Sequence, residues 1–514
     1  MAQKAIHSES QKHASVWSAA AAAILAVICL AWWLAYDPTA DFAIHVPGMD
    51  HAPEIPGSAG HVEMIRIGEF FDSFDGREST LPGSWPRFRG ENFDNINTEK
   101  VPLANSWPAG GPEVLWSVAL GEGHAAPVVF DGRVYLLDYD EENKADALRC
   151  FSLADGREIW RRWYQVRVKR NHGMSRTIPA VTGRYVVTIG PRCQVMCADS
   201  RSGDFIWGID LEKEYGTETP LWYTGQCPLI DDSLAVIAPA GTSLLIGVDC
   251  ASGKVVWKTP NPSGWQMSHS SVMPMTLNGR KIYVYCAIGG MAGVSAEGAD
   301  AGQVLWETTA FTSSVIAPSP VIFDDGRIFM TAGYGAGGMM LKVSEAGGHY
   351  SVQKLLEYKS ADGLASEQQT PVLYQGFLFS IQPKDAGILR NQLVCYHPDD
   401  CTQLIWASGK TNRFGLGPFL FADDKMFVLS DDGVLTLLEA STSAYQPLAQ
   451  AKVLDGHDAW GPMALAGGRL LVRDSKEMRC LDVGAGRNTG QTNLEVHNSQ
   501  YRTRMTRMTR ISAD

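Results

Sequence analysis

The chain has 514 residues, of which 45% are hydrophobic and 19% are charged, and its formal net charge is −12. This composition supports a large hydrophobic core, and the length suggests about three domains unless the chain is built from repeats. The acidic balance argues against a nucleic-acid-binding protein, because neutralising phosphates requires clustered lysines and arginines.

An apolar segment without a charged residue covers residues 16–36, VWSAAAAAILAVICLAWWLAY. At about 1.5 Å per residue it is long enough to cross a hydrocarbon core of roughly 30 Å as a helix. Lys4 and Lys12 precede it, so the positive-inside rule predicts a single-pass anchor with residues 1–15 in the cytoplasm. Everything after Tyr36 is then extracytoplasmic, in the periplasm. A cleaved signal peptide is the alternative, although two tryptophans near its end would be unusual.

A glycine turn followed by a tryptophan recurs as ADGREIW, RSGDFIW, ASGKVVW and DAGQVLW. Before each tryptophan come a proline, an apolar run, a polar turn and a second apolar run, as in APVVFDGRVYLLD at residues 126–138. The prolines of this pattern are Pro127, Pro179, Pro228, Pro274, Pro320, Pro371, Pro418 and Pro462. A period near fifty residues predicts eight copies of one supersecondary unit.

Each unit has room for four short strands. Valine, isoleucine, leucine and aromatic residues fill runs that are separated by Asp-Gly, Asn-Gly or Asp-Asp, which is typical of tight hairpins. Four-stranded units of this length predict an all-β fold, an eight-bladed β-propeller preceded by one N-terminal transmembrane helix. An open solenoid of sheets is the alternative.

The last unit ends near Val483 after three strands, and the missing strand is found at the front of the chain. EVLWSVAL, residues 113–120, precedes the first full unit and is predicted to complete the last blade, which removes two exposed sheet edges. The propeller is therefore predicted over residues 107–483. Residues 37–106 are predicted to be a linker and pre-propeller segment, and residues 484–514 a disordered polar tail.

The recurring tryptophans are predicted to dock one blade on the next, since an indole buries a large apolar area while its N–H reaches a backbone acceptor. These structural residues are Trp116, Trp160, Trp207, Trp257, Trp306 and Trp406. Units five and seven lack the tryptophan. We expect none of these indoles to be catalytic.

The segments ADSRSGDFIW (residues 198–207) and VDCASGKVVW (residues 248–257) resemble the tryptophan-docking repeat of propellers related to pyrroloquinoline-quinone (PQQ) dehydrogenases. WPRFRGENFDN, residues 85–95, is similar to a stretch that precedes such propellers in large envelope proteins. The resemblance covers all eight units. It implies either a quinone-dependent dehydrogenase or a non-catalytic envelope protein, such as the lipoprotein propeller of the outer-membrane assembly machinery.

A dehydrogenase of this family implies a disulfide between adjacent cysteines over the quinone, a tryptophan beneath it, calcium held by a glutamate and an asparagine, and an aspartate base. No two of the ten cysteines are adjacent, no segment matches the calcium ligands, and no CxxCH haem site occurs. No cofactor or metal is therefore predicted, and PQQ with calcium remains the alternative. Local disulfides between Cys193 and Cys197, or Cys395 and Cys401, stay open.

The loops that enter the innermost strands of a propeller surround one mouth of its central channel. Residues before the eight prolines therefore form a predicted ligand-binding ring, where polar and aromatic side chains converge. Its members are His124, His172, Arg176, Trp222, Gln226, Trp265, His269, Gln369, Arg413, His457, Asp458 and Trp460.

Taken together, the sequence predicts a membrane-anchored, extracytoplasmic propeller that acts as a binding or scaffold module and is not itself an enzyme. Its expected partner is an envelope protein or polymer, with no nucleic acid. The rival is a PQQ-dependent or related dehydrogenase whose cofactor site has diverged, and a glycan-active enzyme has little direct support.

Overall fold

The computed structural model describes Trp17 and the ranges 23–32 and 65–486. Residues 23–32 form helix α1, which belongs to a compact unit covering Met1–Gly60, and the second unit covers His61–Asp514. Within these described ranges, no helix is both long and apolar enough to cross a membrane. The predicted cytoplasmic segment 1–15, most of the predicted transmembrane segment 16–36, the linker up to residue 64 and the tail beyond residue 486 lie outside the described residues.

Three short strands precede the first repeat, and eight sheets follow one another along the chain. The three strands are β1 (Phe70–Ser73), β2 (Ile96–Asn97) and β3 (Glu113–Ala119). Blade 1 contains β4 (Val128–Phe130), β5 (Arg133–Asp140), β6 (Ala145–Ser152) and β7 (Glu158–Gln165), and blade 2 contains β8 (Ala180–Val181), β9 (Tyr185–Ile189), β10 (Gln194–Asp199) and β11 (Phe205–Asp210). Helix α2 (Leu211–Tyr215) follows, then blade 3 with β12 (Leu229–Asp231), β13 (Leu234–Ile237), β14 (Ser243–Asp249) and β15 (Val255–Pro260). Blade 4 contains β16 (Met273–Leu277), β17 (Arg280–Ala287), β18 (Gly290–Ser295) and β19 (Val304–Thr308).

Blades 5 to 8 repeat the arrangement. Blade 5 contains β20 (Val321–Ile322), β21 (Arg327–Ala332), β22 (Gly337–Ala346) and β23 (His349–Tyr358). Blade 6 contains β24 (Val372–Tyr374), β25 (Phe377–Ile381), a 3-10 helix (Gly387–Leu389), β26 (Leu393–Tyr396) and β27 (Leu404–Ala407). Blade 7 contains β28 (Phe419–Ala422), β29 (Lys425–Leu429), β30 (Val434–Glu439) and β31 (Pro447–Lys452), and blade 8 contains β32 (Ala464–Ala466), β33 (Arg469–Arg473), β34 (Glu477–Asp482) and the N-terminal β3. The prediction of an all-β propeller with eight four-stranded blades is confirmed.

The ring closes where β3 pairs with β34. The two strands are antiparallel, with Trp116 opposite Cys480, so the first strand of the propeller is the outermost strand of its last blade. Arg473, fully buried in β33, donates a second connection across the same junction, from Nη1 to the Ala125 carbonyl at 3.0 Å. Closure therefore uses both a complete strand ladder and a buried guanidinium.

A β-bulge occurs at the same place in all eight blades. Between the third and fourth strands the register shifts by one residue, and the skipped residue is always the aliphatic one before the tryptophan position. The skipped residues are Leu115, Ile159, Ile206, Val256, Leu305, Leu355, Ile405 and Leu448. A bulge of this kind increases local twist and re-aims the next side chain. In blades 5 and 7, which lack the tryptophan, Leu356 and Ala449 occupy its place.

Small residues face most of the tryptophans across the third strand. Cys150, Cys197, Cys395 and Cys480 are directly opposite the tryptophans of blades 1, 2, 6 and 8. The nine cysteines of residues 65–486 are free and buried, so the local disulfides considered from the sequence are not formed. These thiols leave room for the indole, as expected of small buried side chains.

Four of the six docking indoles, those of Trp116, Trp160, Trp207 and Trp257, lie over the glycine turn of the following blade. A Cβ added at Gly203 would lie 2.7 Å from the Trp160 ring, and Trp160 Nε1 donates to the Arg201 carbonyl at 2.9 Å. The same relation joins Trp207 to Gly253, with a bond from Nε1 to the Cys250 carbonyl. The turn glycines have positive φ, which suits a residue without Cβ. The glycine that precedes a tryptophan in sequence therefore receives the tryptophan of the preceding blade.

A chain of hydrogen bonds links neighbouring blades around the channel wall. A backbone N–H of one blade donates to a hydroxyl or thiol of the next, from Ile178 to Cys227, from Cys227 to Ser271, from Ser271 to Ser319 and from Ser319 to Thr370. This interblade belt covers blades 2 to 6. At blade 6 it meets Gln369, whose Nε2 reaches the carbonyls of Leu416 and Trp460 in the loops that enter blades 7 and 8.

Residues 85–97, which we call the plug segment, cross the channel. They contact the innermost strands of blades 1, 2, 3, 6, 7 and 8, through bonds to Val129, Val181, Ile230, Thr370, Pro371, Phe419 and Leu465. Arg89 is 6% exposed and donates to four carbonyls, those of Phe93, Asp94, Thr370 and Pro371. β2, within this segment, pairs in parallel with β28.

The part of residues 37–106 that the structure describes is thus packed onto the propeller. β1 adds a fifth strand outside β7 of blade 1, and β2 adds a fifth strand inside blade 7. The sequence predicted only a linker and pre-propeller segment here. The physical reason for the difference is that these contacts join residues hundreds of positions apart, with no periodic signal within the segment itself.

Candidate functional site

The loops that enter the innermost strands gather at one end of the channel, as the strand order requires. We call this end the channel mouth. The hairpins between second and third strands lie at the same end, because successive strands of a blade alternate in direction. The mouth is therefore open to solvent on one side, while the plug segment crosses the channel below it.

Arg176 is the charged group at the centre of the mouth. Its Nη2 donates to the carbonyls of His172 at 2.6 Å and Asn171 at 3.2 Å, and its Nε has no partner. Among residues 65–486, no carboxylate lies within 4.0 Å of its guanidinium. Burial lowers the pKa of Arg176 to about 10, so the group stays cationic at neutral pH. An enclosed cation without a counter-ion is a strong anion attractor.

His124 lies beside Arg176 and is neutral. Its Nε2 is 3.0 Å from the His172 carbonyl, which also accepts from Arg176, and its ring stacks on Trp460 with centroids 4.8 Å apart. Burial, with the nearby charges of Arg176 and Arg473, lowers the pKa of His124 to about 3. The Nδ1 of His124 and the Nε1 of Trp460 are both buried without a partner.

An aromatic cluster covers the other side of the mouth. Trp222, from the loop before blade 3, stacks on Tyr334 of blade 5 with centroids 6.1 Å apart and planes at 15°, and His269 is 6.4 Å from Trp222. Burial, and then the charge of Arg176, lowers the pKa of His269 to about 4. Tyr334 is 62% exposed. The cluster bridges two blades that are not neighbours in the ring.

The backbone of this cluster is strained. Trp222, Tyr223 and Tyr334 have φ values of +62°, +70° and +57°. Bulky side chains rarely adopt this left-handed region, and such strain persists only where surrounding contacts hold it. Tyr223 is held by a bond from its hydroxyl to the Lys169 carbonyl at 2.7 Å. Strained residues of this kind concentrate at functional sites, which makes the cluster a candidate binding surface.

The remaining predicted ring residues fall into two groups. Gln369 is half-buried in the mouth, and His457 is exposed at the rim with its Nδ1 2.8 Å from Asp458. Arg413 donates from Nε to the Lys410 carbonyl nearby. Gln226 and Trp265, by contrast, point into the protein. Both ends of the Gln226 amide pair with the Ala238 backbone, and Trp265 packs on Gly289 and Gly290.

Sequence reasoning did not identify Tyr334 or Arg473. Tyr334 lies in the stretch GYGAGG, residues 333–338, which contains the hairpin turn between β21 and β22. The information that would have identified Tyr334 is the position of this hairpin, which lies at the mouth end of its blade. Arg473 is the last residue of β33 and follows the apolar run Leu470–Val472, so a basic residue at the end of a buried strand was the available clue.

The residues of the mouth do not fit PQQ with calcium. The cysteines present are buried, free and not adjacent, and the Glu367 carboxylate is paired with Lys384 at 3.5 Å. In the described part of the chain, no group of three or more histidine, cysteine, aspartate or glutamate side chains is arranged to hold a metal ion. A calcium site needs six to eight oxygen ligands, whereas the carboxylates of Asp458 and Glu367 are paired with His457 and Lys384.

A separate polar cavity of about 590 Å³ lies on the face opposite the mouth. Its walls come from hairpin turns of blades 6 and 7, including Gln375, Asp423, Asp424, Lys425 and Glu439. Asp423 already accepts bonds from the Leu103 N–H and the Lys425 ammonium. This cavity is shallow and internally paired, so the mouth is the better candidate for a ligand site.

Comparison with solved structures gives matches of low sequence identity. BamB from Moraxella catarrhalis matches with a TM-score of 0.47 and 13% identity, over 72% of this chain and 99% of that chain. The quinohemoprotein alcohol dehydrogenase from Comamonas testosteroni matches with a TM-score of 0.53 and 12% identity, over 81% and 83%. A europium-containing methanol dehydrogenase gives 0.51 and 11%, over 77% and 89%. At these identities the likeness concerns the fold alone.

Comparison of sequences identifies one family. No curated protein matches the chain significantly. The family model described as the outer membrane protein assembly factor BamB matches residues 143–401, which is half of the chain. The resemblance seen in the tryptophan repeats is thereby confirmed, and the chain belongs to the BamB family of PQQ-like propellers.

Proposed function

We propose that this protein is a non-catalytic binding propeller of the cell envelope, which engages an envelope protein or polymer at the channel mouth. The observation that carries the proposal is Arg176, a cation without a carboxylate partner among the described residues, framed by stacked aromatic rings and neutral histidines. Convergent polar and aromatic groups in one concave site are typical of ligand binding. The name of the family, an assembly factor of outer membrane proteins, supports a partner-binding role.

The proposed location is extracytoplasmic, with residues 16–36 as a membrane anchor and residues 1–15 in the cytoplasm. Its support is the uncharged apolar stretch and the two lysines before it. An alkaline phosphatase fusion after residue 60 tests this orientation, because that reporter needs an oxidising compartment to form its disulfides. We expect an active fusion, and activity from a cytoplasmic reporter at the same position would contradict the proposal.

The rival function is a dehydrogenase with a diverged cofactor site. Calorimetric titration of PQQ with calcium into the full chain, followed by dye reduction with alcohols, separates the two. The proposed function predicts neither saturable heat nor turnover. One-to-one micromolar binding with turnover would replace it with an oxidoreductase.

A photo-crosslinker in intact cells tests the binding role directly. We would place it at Tyr334 in the mouth and, as the matched control, at Val256, which is 57% exposed on the outer strand of blade 3. The proposal predicts specific adducts from position 334 and none from position 256. Equal labelling from both positions, or none from the mouth, would contradict it.

A further inference from the structure

We propose that the channel mouth recognises a sugar unit bearing a carboxylate, at the end of an acidic saccharide. In this site Arg176 receives the carboxylate, the faces of Trp222 and Tyr334 receive the sugar ring, and the neutral polar groups of the mouth receive its hydroxyls. The inference rests on the proposed binding function and specifies its ligand.

The unpaired charge of Arg176 is the reason to expect a carboxylate on the ligand. Two of its neighbours are backbone carbonyls, its Nε is unpaired, and within residues 65–486 no acidic side chain neutralises it. Planar guanidinium groups bind carboxylates through two parallel hydrogen bonds.

The aromatic cluster is the reason to expect a sugar ring in the ligand. Trp222 and Tyr334 present nearly parallel faces, and Tyr334 leaves 62% of its surface in solvent. Large exposed aromatic surfaces on a soluble domain mark interaction sites. A pyranose has a flat C–H face that covers such rings, while its edge carries polar groups, which matches a cluster bordered by Arg176 and His269.

The neutral histidines favour a saccharide over an acidic peptide. Each neutral imidazole offers one donor and one acceptor, and Gln369 adds an amide. Sugar hydroxyls donate and accept at the same atom, so they use such mixed groups, whereas carboxylate side chains of a peptide require donors only. His124 and His269 are neutral at pH 7 because burial and Arg176 disfavour their charged forms.

Recognition of an end unit follows from the plug segment. Since residues 85–97 cross the channel below the mouth, a polymer does not thread through the propeller. The site therefore accommodates a terminal unit or a short exposed stretch.

The test is binding of trigalacturonate to the full chain by calorimetry. Two matched probes go with it, the fully methyl-esterified trisaccharide, which keeps the rings without the charge, and a tri-glutamate peptide, which keeps the charge without the rings. We expect saturable binding of trigalacturonate alone, weakened at least tenfold by Arg176→Gln and by Tyr334→Ala. The exposed Tyr334 makes its variant safe for folding, and Arg184→Gln, a solvent-exposed change in a turn of blade 2 on the opposite face, is the control with unchanged affinity.

Each other outcome overturns the inference. Equal binding of the methyl ester would show that the carboxylate is not recognised. Preferential binding of tri-glutamate would show that the ligand is an acidic peptide and not a saccharide. The absence of binding by all three probes would show that acidic saccharides are not ligands of the mouth. The crosslinking experiment distinguishes these failures from failure of the proposed function, because specific adducts from position 334 would persist with a different ligand.

Discussion

The indole of Trp116 lies against Gly156, although Trp116 stands in the strand that completes blade 8 and Gly156 in a turn of blade 1. A Cβ at Gly156 would lie 2.6 Å from the ring, and Trp116 Nε1 donates to the Leu153 carbonyl at 3.0 Å. This contact extends the blade-to-blade docking across the closure of the ring.

Trp116→Ala should therefore open the junction between the first and last blades. Removing a buried indole costs about 3–5 kcal/mol of unfolding free energy in typical cores. Chemical denaturation of the variant and of wild type measures the loss. Val256→Ala, at an exposed bulge position of blade 3, serves as control and should change stability by less than about 0.5 kcal/mol. A Trp116 variant as stable as the control would refute this role of the contact.

Ser319→Ala should weaken the interblade belt. Its hydroxyl accepts from the Ser271 N–H at 2.9 Å, and that buried donor would be left unpaired at a cost of about 1–3 kcal/mol. Ser319→Thr keeps the acceptor and should recover most of the stability. Ser314→Ala, in the exposed loop before the same blade, is the matched control. Equal melting temperatures for all three variants would show that the bond contributes nothing.

Arg89→Met should loosen the plug segment. The substitution keeps an unbranched side chain but removes the donors to four carbonyls, so we expect a loss of more than about 2 kcal/mol. Amide hydrogen exchange should accelerate in residues 85–97 and not in β17 of blade 4, for which no hydrogen bond to the plug segment is seen. Arg87→Met is the control, because Arg87 donates to a single carbonyl, that of Ile230 at 3.3 Å, and its other contacts are a 3.9 Å ion pair with Glu91 and the ring of Phe93. Unchanged exchange in the plug segment would contradict the prediction.

The neutral His124 should make stability depend on pH. Its pKa is lowered to about 3 in the folded protein from an ordinary value of 6.5, so between these values only the unfolded chain takes up the proton. This residue's contribution to the unfolding free energy is complete above pH 6.5 and falls as the pH decreases, by up to about 1.4 kcal/mol per unit.

His124→Gln removes that dependence. We expect wild type to lose stability relative to the variant between pH 7 and pH 4.5, as measured by denaturation at several pH values. His349→Gln, at an exposed hairpin, should follow wild type. Parallel pH profiles for wild type and the His124 variant would show that His124 is protonated equally in both states.

The fold was accessible from sequence because its signals are local and repeated. A proline and a hairpin turn recur in every blade, and a glycine before tryptophan recurs in the first four. The unpaired third strand of the last unit points to Trp116 at the front. The plug segment was not accessible, since Arg89 reaches Thr370 and Pro371 through bonds that no local pattern encodes.

The sequence predicted which residues lie at the candidate site, but not the direction in which their side chains point. Knowing which loops enter the innermost strands places Arg176, His124 and Trp460 at the mouth. It does not tell that the Gln226 amide turns back to the Ala238 backbone, because that depends on the packing of two neighbouring strands. Tyr334 required knowledge of which hairpins share the same end of the ring.

The plug segment also limits the path by which a bound molecule can leave the mouth. Because residues 85–97 cross the channel at its far end, the channel is open to a ligand only at the mouth. A bound molecule therefore leaves the mouth on the same side of the ring from which it entered.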